Sequence, residues 1–119
     1  MKISIITPVY NREDCISRCI ESVAIHAEGV EHWIVNDGST DATLSIVRQF
    51  ADKYPHIHLL TYECNAGVGA ARNAAIQKCT GDYILFVDSD DYLAENAIAF
   101  IRTTIKESPS YLHYLFATN

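Results

Sequence analysis

Apolar residues in this chain come in short runs, separated by stretches in which they recur every three or four positions. Lys2 to Val9 (KISIITPV), His32 to Asn36 (HWIVN), Ile57 to Tyr62 (IHLLTY) and Tyr83 to Val87 (YILFV) have the length and content of strands. Between them, Arg12 to Ala27 carries Ile16, Cys19, Ile20 and Val23 on one helical face. Asp41 to Lys53 places Leu44, Val47 and Ala51 inward, and Val68 to Cys79 does the same with Val68, Ala71, Ala75 and Cys79. Ala94 to Lys106 is a helix faced by Ile98, Ile101 and Ile105, and Tyr111 to Ala117 reads as a fifth strand. Strictly alternating strands and helices predict an α/β fold: an open, mostly parallel sheet with helices on both faces and right-handed crossovers. Strands two and four show little alternation, which predicts burial on both sides.

The length of 119 residues fits one domain, and 49% hydrophobic residues suffice for a core. The net charge of −6 argues against nucleic acid or an anionic membrane surface as partner. The opening MKISIITPVYN is a poor signal peptide, and no apolar run approaches the ~20 residues of a membrane span, so a cytoplasmic location is expected. Cys15, Cys19, Cys64 and Cys79 are then expected as thiols, and the five histidines form no ligand pattern.

Four polar clusters each follow a strand, and parallel strands bring such clusters to one rim, where open sheets bind ligands. The first is Thr7-Pro8-Val9-Tyr10-Asn11, where Pro8 ends a strand and Asn11 with Asp14 can make a capping turn. In Asn36-Asp37-Gly38-Ser39-Thr40-Asp41, Asp-Gly is a turn, yet Asp37 on this rim can also accept a hydrogen bond from a base edge. Asn65-Ala66-Gly67-Val68-Gly69 opens a helix whose N-terminus suits an anion, and Arg72 sits where the macrodipole disfavours a cation. Such a placement points to a diphosphate or base as its partner. Asp88-Ser89-Asp90-Asp91 sets three carboxylates within four residues. One of them, Asp90 or Asp91, can cap the next helix, but three exceed what a cap needs and suit Mg²⁺ or Mn²⁺.

Taken in order, SIITPVYN, VNDGSTD, NAGVGAARN and GDYILFVDSDD resemble the N-terminal half of a family 2 glycosyltransferase with the GT-A fold, over Lys2 to about Glu107. The resemblance implies a donor half that binds a nucleoside-diphosphate sugar, usually a UDP-sugar. Thr7, Pro8 and Tyr10 would line the nucleoside pocket, with Asp37 reading the base. Gly69 and Arg72 would lie near the nucleotide, and Asp88 and Ser89 would contact the donor. Asp90 would hold Mn²⁺ or Mg²⁺. It further implies an inverting displacement onto a hydroxyl of a glycan or lipid-linked acceptor, possible only with a general base. In the family that base and the acceptor-binding half lie well downstream of this acidic motif. After Asp91 this chain offers only Glu95 and Glu107, so the general base is expected beyond Asn119 and no catalytic residue is assigned within the chain. Residues 1–119 are then expected to form a donor domain that binds nucleotide without transferring sugar. Without ligand, the acidic site is expected to be strained and loosely ordered. A last strand with a free edge would favour a dimer.

Three rival readings remain at this point. A dinucleotide-binding module is suggested by Gly67-Val68-Gly69, with Asp88 placed as a ribose acid, but Arg72 replaces the third glycine. A phosphoacceptor domain would use the same acids and lacks a rim lysine. A degenerate transferase half would serve only interactions.

Overall fold

The computed structural model describes residues 1–107. Strands and helices alternate throughout: β1 (Ile3–Val9), α1 (Ile16–Ala24), β2 (Val30–Asp37), α2 (Thr43–Lys53), β3 (Ile57–Tyr62), α3 (Val68–Ile76), β4 (Tyr83–Phe86) and α4 (Ala97–Glu107). The strands form one parallel sheet in the order β3-β2-β1-β4. The expected strand Tyr111–Ala117 lies outside the described residues. So does Asn119, the position beyond which the general base is expected. No described helix is long and apolar enough to cross a membrane.

Side chains on a strand alternate faces, and the central strands use both. Ile3, Ile5, Val9, Ile34, Leu85 and Val87 meet α1, α2 and α4 through Ile16, Ile20, Val23, Val47, Ile98 and Ile101. Burying each such side chain contributes roughly 1.5–3 kcal/mol. Ile6 and Val35 point the other way, onto Ala71 and Ala75 of α3. All four residues assigned to the inner face of α1 are buried.

Four details differ from the sequence reading. α1 begins at Ile16, because Arg12 to Cys15 form a turn in which the Arg12 carbonyl accepts from the Cys15 and Ile16 amides. Asn11 does not cap α1: with φ 50°, its Oδ1 accepts from the Thr40 amide at 2.7 Å and ties the first rim loop to the second. α4 begins at Ala97, so neither Asp90 nor Asp91 caps it. β4 is not buried on both sides. Leu85 is covered, but Ile84 and Phe86 are 40% and 38% exposed, because α3 packs over β1 and β2 instead. The outer edge of β4 is unpaired among the described residues, the kind of edge that invites pairing.

A polar network that the sequence did not reveal closes the opposite rim. The buried Glu31 carboxylate accepts from Ser4 Oγ at 2.5 Å, from the Thr80 amide at 2.7 Å and from Thr80 Oγ1 at 2.9 Å. Lys2 Nζ lies 3.3 Å away. Burial pushes the Glu31 pKa up, but these hydrogen bonds outweigh it and hold the group at about 2.

Candidate functional site

The carboxyl ends of the strands and the loops that follow them enclose an open cleft of about 450 Å³. The end of β1 supplies Pro8, Val9 and Tyr10, and the end of β2 supplies Asp37. Asn65, Gly67, Val68 and Arg72 come from the β3–α3 loop and α3, and Asp88, Ser89 and Asp90 follow β4. Three of the four rim clusters thus meet here in force. The Asn36–Asp41 cluster contributes Asp37, while Asn11, Ser39, Thr40 and Asp41 brace one another behind the cleft.

Asp37 is 4% exposed, and its two oxygens each accept one backbone N–H, from Ala66 and Gly67, both at 2.8 Å. The carboxylate therefore shapes the glycine loop, while each oxygen keeps a second lone pair. Gly38 makes this approach possible. Its φ is +77°, and a Cβ there would stand 2.7 Å from the Asn65 amide nitrogen and 2.8 Å from the Cys64 carbonyl carbon. Gly38→Ala should therefore lower stability by at least about 2 kcal/mol in urea unfolding. A loss below about 0.5 kcal/mol, the scale of an ordinary surface substitution, would contradict this account.

In the structure the partner of Arg72 is an acid of the rim itself: Nη2 donates to Asp88 Oδ1 at 3.1 Å, and the guanidinium lies 5.1 Å from the centroid of the Phe86 ring. Its buried Nε has no partner among the described residues. Asp88 is therefore not left unpaired, and no described residue of the acidic loop has a positive φ. Oxygens of Asp88, Asp90 and Asp91 lie within 4.8 Å of one another. Partial burial, then the charges of Asp90 and Asp88, raise the Asp91 pKa above the usual range, with Arg18 opposing. Hard oxygen donors this close, repelling one another, fit a divalent cation.

Two of the sequence-derived residues stand elsewhere. Thr7 is fully buried: its Oγ1 lies 2.7 Å from His32 Nε2 and 3.9 Å from Cys19 Sγ, so its side chain supports the cleft from beneath instead of lining it. Gly69 lies one residue beyond the lining, and a Cβ there would meet open space. Val68, inward by helical spacing, is 55% exposed and lines the cleft. Arg12, read only as a helix start, is a second cation on the wall. The signal was a positive charge just past a rim loop in an acidic chain.

A doubly wound parallel sheet with carboxylates, arginines and a glycine loop on its carboxyl rim is an open α/β domain with its cleft where such domains bind ligands. Residues 4–111 match the glycosyl transferase family 2 profile, and the chain belongs to that family. It is 44% identical over 114 residues to the poly(ribitol-phosphate) beta-glucosyltransferase of Bacillus spizizenii, covering 92% of this chain and 18% of that protein. The crystal structure of Staphylococcus aureus TarS 1–349 in complex with UDP-GlcNAc superposes with a TM-score of 0.82 at 36% identity, over 90% of this chain and 32% of that one. A mannosyltransferase from Pyrobaculum calidifontis, in complex with GDP-Man and Mn²⁺, gives a TM-score of 0.78 at 25% identity, over 87% of this chain and 32% of that one. The chain thus spans well under half the length of these relatives.

Proposed function

We propose that residues 1–119 form the donor domain of a metal-dependent, inverting glycosyltransferase that takes a nucleoside-diphosphate sugar, with a UDP-sugar as the first choice. The carrying observation is the meeting of Asp37, Arg72, Asp88 and Asp90 in one cleft on the carboxyl rim of a family 2 fold. Pro8 and Tyr10 wall the nucleoside, and the free lone pairs of Asp37 accept a base N–H. The α3 N-terminus, with Gly69 in its first turn, faces the phosphates, and Arg72 balances their charge. Asp88 and Ser89 hold the ribose side of the donor. Asp90, with Asp88 and Asp91 beside it, would hold Mn²⁺ or Mg²⁺. A bound cation of this kind neutralises charge on the leaving diphosphate as a Lewis acid. The acids that line the cleft among the described residues, Asp37, Asp88 and Asp90, all have donor-side roles here, and none is assigned as the general base. The acceptor is a hydroxyl of a glycan or lipid-linked polymer, in keeping with relatives named for poly(ribitol-phosphate) and chondroitin. A cytoplasmic location fits a protein that draws on a nucleotide-sugar pool.

Calorimetry with UDP, with and without Mn²⁺, tests the reading, with ADP and NADH as controls. UDP should bind in preference to both, Mn²⁺ should tighten it, and Asp90→Ala should remove that gain. NADH binding without metal would replace the reading with a dinucleotide module. A folded chain that binds no nucleotide would leave an interaction domain.

A further inference from the structure

Beneath the acidic loop runs one stripe of α1: Cys15 at its N-cap, then Arg18, Cys19 and Ser22, at i, i+3, i+4 and i+7. Each member meets a different backbone group between Asp88 and Leu93. Cys19 Sγ donates to the Asp88 carbonyl at 3.7 Å, and Cys15 Sγ to the Ser89 carbonyl at 3.6 Å. Arg18 Nη2 donates to the Asp90 carbonyl at 3.4 Å, and its guanidinium lies 4.5 Å over the Tyr92 ring. Ser22 Oγ accepts from the Leu93 amide at 2.9 Å while donating to the Cys19 carbonyl at 2.7 Å.

Singly, a thiol contact or an exposed arginine contact is weak. Together they fasten the backbone of 88, 89, 90 and 93 to one rigid helix, at sequence separations of 69 to 74. That matters because the loop carries three carboxylates with oxygens within 4.8 Å, and their repulsion acts to splay it. We infer that this stripe of α1 positions the acidic loop, with Arg18 and Ser22 as positioning residues that hold the Asp88–Asp90 backbone in the geometry a cation and diphosphate require. The inference rests on the donor-site reading above. Neither residue lines the cleft.

Arg18 makes the idea sharply testable, because two physical effects have opposite signs. As a nearby positive charge it opposes cation binding, so pure electrostatics makes Arg18→Ala bind Mn²⁺ more tightly. As a positioning residue its loss weakens binding.

The experiment titrates UDP with and without Mn²⁺ into the wild-type chain, Arg18→Ala, Ser22→Ala and Ser22→Thr, and follows amide exchange across residues 88–93. Partners one shell out from a metal typically set affinity by about tenfold or more. Arg18→Ala and Ser22→Ala should each reduce the Mn²⁺-dependent gain by about tenfold, leave metal-free UDP affinity within about twofold, and speed exchange at Leu93. Ser22→Thr, which keeps the hydroxyl, should restore the gain. The inference falls if a wild-type chain with a clear Mn²⁺ gain keeps it in both alanine variants, or if Arg18→Ala tightens Mn²⁺. A wild-type chain with no Mn²⁺ gain would instead sink the donor-site reading, and this one with it.

Discussion

Lowering the pH from 7 to 4.5 is expected to cost the fold about 3 kcal/mol through His32 alone. Its ring is fully buried, Nε2 lies 2.7 Å from Thr7 Oγ1, and Nδ1 has no partner among the described residues. Burial first, then the charge of His56, drives its pKa from 6.5 down to about 3. The folded chain therefore keeps His32 neutral while the unfolded chain takes up a proton below 6.5. Stability is intact above that pH and drains as the pH falls, by about 1.4 kcal/mol per unit, until the folded group itself titrates near 3. Glu31 adds to the same trend later. Its folded pKa of about 2 lies below its ordinary 4.5, so its stabilisation is present above 4.5 and is lost between there and 2. Urea unfolding at pH 7 and 4.5 separates the two. His32→Gln should lose about 3 kcal/mol less than the wild type across that interval. Equal losses in the two proteins would remove His32 as the cause.

The second large effect belongs to Asp37→Asn. The change is isosteric, but the carboxylate accepts one backbone N–H on each of its two oxygens, and an amide has only one oxygen. The other would face an NH₂ group, donor against donor, in a site that is 4% exposed. Leaving one such buried donor unsatisfied costs about 1–3 kcal/mol. The Ala66–Gly67 turn would loosen, and with it the start of α3 and Arg72. UDP affinity should fall at least about tenfold, and exchange at the Ala66 and Gly67 amides should accelerate. Wild-type UDP affinity in Asp37→Asn would show that neither the base contact nor the loop depends on that charge.

Much of the fold was legible because its signals are local. Strand runs, the stripe Ile16-Cys19-Ile20-Val23 and the strand-end clusters all follow from side-chain periodicity, and alternation then dictates a parallel sheet. The site was legible as a rim for the same reason. Apart from helix starts such as the Arg12–Cys15 turn, the misses are non-local. Thr7 alternates onto the buried face of β1, where His32 of the neighbouring strand claims it. Asn11 looks like a cap until its partner proves to be a loop about 30 residues away. The Glu31 network joins β1, β2 and the turn before β4 and follows no spacing rule. The half-exposed β4 depends on where α3 comes to rest, which the pattern within β4 cannot state.

The pairing of β1 with β4 also has a consequence in time. Ile3 faces Tyr83 and Ile6 faces Phe86, so neighbours in the sheet are made 80 residues apart. During synthesis the first strand must wait, one edge open, until the last described strand emerges. Tyr10 and Asp90 flank the cleft from these two strands, so the ligand site exists only once the longest loop of the domain has closed. On the donor-site reading, nucleotide binding would then report completion of the described four-stranded sheet. A ligand should protect the domain as one cooperative unit, from β1 to the acidic loop.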